Sequence, residues 1–147
     1  MHAFIFTPGL WLGEGTIKIS TSPENLKFFT KWNSTKREEK GVMVIETIQQ
    51  VEILGVPQQL VNNLYFSKVS QTSFAVRLEN ESVTQVMGQG VLDDKMIAWE
   101  FRNLPNFDGF ETYRLQPNDD YLMHAEYASA DGFHRTVIEG RVWKKFA

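Results

Sequence analysis

Gly9-Leu10-Trp11-Leu12-Gly13-Glu14-Gly15-Thr16-Ile17-Lys18-Ile19-Ser20 is the stretch whose reading decides the fold. One parity of it carries Trp11, Gly13, Gly15, Ile17 and Ile19, and the other carries Glu14 and Lys18, the two-residue period of a strand with one buried face. Glycine weakens a strand interior, and where it persists it marks a bend or a place where something packs close against the backbone. A strand that places its largest residue first and two bare positions next on the same face reads as one wall of a curved sheet around an interior.

The same period returns along the chain, and helical periodicity hardly does. Leu26, Phe28, Thr30 and Trp32 alternate with Lys27, Phe29 and Lys31; further series run through Met43, Ile45, Thr47, Gln49, Val51 and Ile53, through Phe74, Val76 and Leu78, and through Ile97, Trp99 and Phe101. Turn-forming clusters separate them: TSPEN at 21–25, STKREEK at 34–40, GVPQ at 55–58, NES at 80–82, DDK at 93–95, NLPNFDG at 103–109, PNDD at 117–120 and ADG at 130–132. This spacing gives about ten strands. Short connections make consecutive strands antiparallel neighbours, and joining the first to the last removes both exposed edges. The expected fold is therefore all-β: one domain over 1–147, a single closed, antiparallel, up-and-down barrel.

Two hairpins predict which faces point inward. A type I′ turn at Asp131-Gly132 puts Tyr121, Met123, Ala125 and Tyr127 on one face with His134, Thr136, Ile138, Gly140 and Val142, and leaves the polar His124, Glu126, Arg135 and Glu139 outside. A two-residue turn at Asp93-Asp94 puts Ile97, Trp99 and Phe101 on the face of Val86, Gly88 and Gly90, where large rings can lie over bare backbone. The phase around PNDD stays open: loops of different length send either Phe110, Thr112 and Arg114 or Glu111, Tyr113 and Leu115 inward.

Composition excludes several function classes. The 147 residues are 42% hydrophobic and 22% charged, ordinary for one globular domain, with 13% aromatic to house. A net charge of -3 provides no field for a polyphosphate backbone, so nucleic acid is not an expected partner. Without cysteine there is no disulfide, thiolate nucleophile or cysteine-ligated metal, which fits a reducing compartment. The opening MHAFIFTPGLW lacks the basic n-region of a signal peptide, and no apolar run nears the roughly 20 residues that span a bilayer. A cytoplasmic protein with no membrane partner is the expectation. Lys36, Arg37 and Lys40, interleaved with Glu38 and Glu39, read as a solvated loop, and the glycines of GEGTIK precede no helix that would cradle phosphate.

Gly9-x-Trp11 near the start of an all-β chain resembles the opening signature of the calycin barrels, which include the lipocalins. The longer Gly9-x-Trp11-x-Gly13-Glu14-Gly15 is similar to the first strand of the nitrobindins, ten-stranded barrels that hold haem. Only Thr21 to Asn25 separate the first two strands, too few for the helical lid of the fatty-acid-binding proteins, so the lipocalin-like and nitrobindin-like variants are the nearer comparison. The resemblance implies an interior that binds a small, mainly hydrophobic ligand without catalysis and without a cofactor. Trp11, Trp99, Phe101, Tyr121, Met123, Tyr127 and His134 are the expected lining, with Arg114 as an anchor for a carboxylate. Its nitrobindin branch implies haem instead, with His134 as axial ligand, although FHRTVIEGRVWKK does not match that family's closing motif. Two further classes remain open: a cofactor-free enzyme using Glu111 beside Tyr113, and an interaction module whose interior is filled by its own aromatics.

Overall fold

The computed structural model describes residues 2–81, 85–102, 107–129 and 134–145. Ten strands occupy them: β1 (Gly9–Ile19), β2 (Asn25–Glu39), β3 (Val42–Ile53), β4 (Leu60–Ser67), β5 (Ser73–Glu79), β6 (Val86–Leu92), β7 (Met96–Phe101), β8 (Phe107–Leu115), β9 (Tyr121–Ser129) and β10 (Arg135–Lys144). Each pairs antiparallel with its neighbours in the chain, and β10 pairs with β1, so the sheet closes into one barrel with no free edge.

The opening stretch shows why its glycines are there. Gly15 stands directly opposite Gly140 across the seam between β1 and β10. A Cβ on Gly15 would run into the Glu139 carbonyl and the Gly140 Cα, and one on Gly140 into the Glu14 carbonyl. The packing partner of the bare backbone is thus the other backbone, and the glycines let the seam close on a tight curve. Elsewhere bare positions sit beneath rings: Gly90 lies under Phe74 and Gly109 under Tyr127.

Several connections differ from the sequence pattern. STKREEK is strand, because β2 continues to Glu39 and turns at Lys40-Gly41, both with positive φ (51° and 81°), as a type I′ hairpin requires. The cation-rich loop expected there is therefore a two-stranded ribbon on which Arg37 pairs with Glu46 at 2.7 Å. The turn after β6 is Asp94-Lys95 rather than Asp93-Asp94, because the Asp93 side chain accepts from the Lys95 and Met96 amides (2.8 and 2.9 Å) and its own N–H bonds the Met96 carbonyl. Facing parity is unaffected, but Trp99 moves to stand opposite Gly90 instead of Gly88. β4 escapes the apolar alternation because Asn62 sits on the inward parity with Leu64 and Phe66. Asp131-Gly132 lies outside the described residues, yet the register expected from it is present: Tyr127 faces Thr136, Ala125 faces Ile138 and Tyr121 faces Val142.

The largest departure precedes β1. Residues 2 to 7 turn back into the barrel, with the Thr7 amide and hydroxyl both donating to the Ala3 carbonyl (3.2 and 2.8 Å). Phe4 and Ile5 lose all exposure and Phe6 nearly all. Ile5 adopts φ 61°, a left-handed conformation costly for a β-branched residue, so the burial around it must outweigh local strain. No helix among the described residues is long and apolar enough to cross a membrane.

Candidate functional site

The N-terminal segment divides the interior. At its end of the barrel, bounded by the β2–β3, β4–β5, β6–β7 and β8–β9 turns, Phe4, Ile5 and Phe6 fill the interior beneath a groove at the rim lined by His2, Trp11, Asp93 and Tyr121. The Phe4 ring packs against Trp11, Trp32, Tyr113 and Tyr121 with centroids 5.0 to 5.4 Å away. Phe6 packs against Phe74 at 5.2 Å and Phe66 at 6.3 Å. His2 pins the segment to the rim: its Nε2–H donates to the Asp93 carbonyl at 2.6 Å, which leaves Nδ1 to accept from the Tyr121 hydroxyl at 2.6 Å. Burial and the nearby Asp119 charge push the Tyr121 hydroxyl up to about 12.

Past this plug polar groups stand among the apolar ones of the interior. The β8–β9 connection resolves the open phase: Gln116 N–H bonds the Asp120 carbonyl around a loop whose Asp119 has φ 69°, and Leu115 falls opposite Tyr121. That register sends Glu111, Tyr113 and Gly109 inward and Arg114 out to solvent. Glu111 lies between its cross-strand partners Trp99 and Ala125. Its carboxylate accepts from the Tyr113 hydroxyl at 2.6 Å on one oxygen and from the Tyr127 hydroxyl on the other. The Trp99 indole N–H also faces it and favours its charge, without closing to hydrogen-bond geometry. Trp99 itself stacks on Tyr113, centroids 5.0 Å apart and planes 19° from parallel.

Electrostatics at this carboxyl are decided by desolvation. Burial raises the Glu111 pKa above its ordinary value, and the three donors, which lower it, do not fully offset that. Among the described residues no lysine, arginine or histidine acts on it. Tyr113 and Tyr127 are held well above the usual phenol range, first by burial and then by the Glu111 charge. Glu111 and Tyr127 nevertheless keep partial exposure as residues, whereas Tyr113, Trp99 and Phe101 have almost none. Across the interior a chain of amides begins: Asn80 donates to Asn62 (2.9 Å), Asn62 to Gln49 (3.0 Å) and Gln49 to Thr30 (3.4 Å).

The residues expected to line a pocket are distributed unevenly. Trp11 and Tyr121 are inside but packed against the plug, and Trp99, Phe101 and Met123 are inside and buried. Tyr127 is inside with an accessible edge, while Arg114 and His134 are exposed. His134 stands at the rim, where its amide donates to Ser129 Oγ. A haem does not suit these positions: the exposed His134 is not presented to the interior, both ring nitrogens of the buried His2 are engaged, and the centre holds Trp32, Trp99, Phe66 and Tyr113 in mutual contact. Sequence reasoning missed the plug and the amide chain. The Phe4-Ile5-Phe6 run ahead of Thr7-Pro8, too short for a strand of its own, was the available signal.

Compared with known proteins, the chain matches no family model and no curated sequence. The class defined by its geometry is a closed ten-stranded antiparallel β-barrel, filled at one end by its own N-terminal segment.

Proposed function

We propose that this is a calycin-like binding barrel that takes a small, mainly apolar molecule with one polar group into the half of the interior beyond the plug. One observation carries the reading: inside an aromatic interior Glu111, a partly exposed residue, has its carboxylate oriented by two tyrosine hydroxyls. A buried carboxylate without a counter-charge costs stability that its hydrogen bonds only partly offset, and a few convergent polar groups on an apolar wall are what fix a ligand's orientation. Ile138, Val51 and Ile53, partly buried against the core, offer the apolar share of the wall.

An eight-carbon chain buried at about 0.8 kcal/mol per methylene gives roughly 6 kcal/mol gross, from which association costs subtract, so millimolar to high-micromolar affinity is expected for a generic probe. Titration with 1-octanol, followed by two-dimensional amide NMR, tests the proposal. Saturable shifts centred on Glu111, Tyr127 and Ile138 support it; shifts confined to outward residues, or none, overturn it.

A further inference from the structure

We infer that the polar group recognised at Glu111 is a cation, an organic ammonium on an apolar body. The inference rests on the binding reading above and names its ligand class. Three features point the same way. The Glu111 carboxylate has no counter-charge among the described residues, so a cationic head would supply the attraction it lacks. Both of its oxygens accept from tyrosines, and a carboxylate, with about four lone-pair sites, can still accept from an ammonium N–H. The Tyr127 ring, whose hydroxyl donates to Glu111, belongs to a partly exposed residue and gives an ammonium a π surface beside the carboxylate.

The same site is unsuited to the opposite charge. A ligand carboxylate would meet Glu111 inside a medium of low dielectric, where like charges are strongly unfavourable. Arg114, the anchor expected for such a ligand, points to solvent on the other face of β8. A neutral alcohol can donate its O–H to the Glu111 carboxylate but brings no charge, and a ketone, an acceptor only, can hydrogen-bond Glu111 only when it is protonated or through water. Discrimination among one chain length with three head groups therefore reads out the state of this carboxyl.

The experiment compares octylammonium, 1-octanol and octanoate near neutral pH by calorimetry and by amide NMR. Octylammonium is expected to bind roughly tenfold or more tighter than octanol, with octanoate weakest, and Glu111→Gln to bring octylammonium down to the level of octanol. Should Glu111→Gln fail to fold, the wild-type protein still decides: binding of the ammonium must lower the protonation midpoint of the Glu111 carboxyl in a carbon-13 titration. Octanol binding as tightly as octylammonium, or an unmoved midpoint, overturns the cation inference and leaves the binding reading standing. No interior binding by any of the three overturns both.

Discussion

The two halves of this barrel share a sheet and differ in what fills them. The plugged half is completed by the chain itself, with Phe4 and Phe6 occupying the space between Trp11, Trp32, Tyr113 and Tyr121 on one side and Phe66 and Phe74 on the other. The other half keeps a desolvated carboxylate and a row of amides facing inward. On the binding reading proposed above, the first half supplies stability and the second specificity. Tyr113 joins them: Phe4 packs on its ring, and its hydroxyl holds Glu111.

Substitutions should break this division in a definite order. Phe4→Ala has the largest expected effect, about 3 to 5 kcal/mol lost in urea unfolding, because it leaves a cavity among rings that cannot collapse inward. Gly15→Ala follows at roughly 1 to 3 kcal/mol, seen as a lower thermal midpoint, since its methyl meets the β10 backbone rather than a side chain able to move. His2→Ala should cost about 1 to 2 kcal/mol by removing both rim hydrogen bonds, and faster amide exchange in residues 3 to 7 would locate the effect. Arg135→Ala, which removes an exposed partner of Glu126 on the outer wall, should change stability by less than about 1 kcal/mol.

Acidity sharpens the same contrast. Glu111 has a folded-state pKa above its unfolded value, so the native state binds more protons than the unfolded one between the two. Its contribution to stability is present below the unfolded value and is lost as pH rises through the folded one. Glu39, lowered chiefly by its hydrogen bond from Arg77, and Glu126, lowered chiefly by that from His124 and then Arg135, act in the opposite sense, and their contributions fade on acidification. Urea midpoints measured across the acidic to neutral range for wild type and Glu111→Gln should therefore diverge with pH, the wild type losing ground to the variant as pH rises. Parallel curves would show that Glu111 is not desolvated.

The barrel was largely legible in the sequence because a period of two survives wherever one face is buried, as in Phe74, Val76 and Leu78 or Ile97, Trp99 and Phe101. Where an inward position is polar for a reason the local pattern does not contain, as at Asn62 in β4, the signal fades. The site was half legible. Glu111 and Tyr113 were visible as a pair, but their facing depended on three loop residues between Gln116 and Asp120 that shift the phase by one. The plug left only the short Phe4-Ile5-Phe6 run as a signal, since that run has no period and five of the six strands it packs against are distant in sequence. Arg114 was singled out for its charge and His134 for its place on an inward parity, yet the strand turned the first outward and the rim left the second in water.

The chemistry of the half beyond the plug depends on the state of one carboxyl group. A carbon-13 titration of Glu111, assigned with Glu111→Gln, measures it directly in the free protein. The account predicts a midpoint above 4.5, the ordinary glutamate value. A midpoint at or below that value would mean a well-solvated or counter-charged group and would contradict the account.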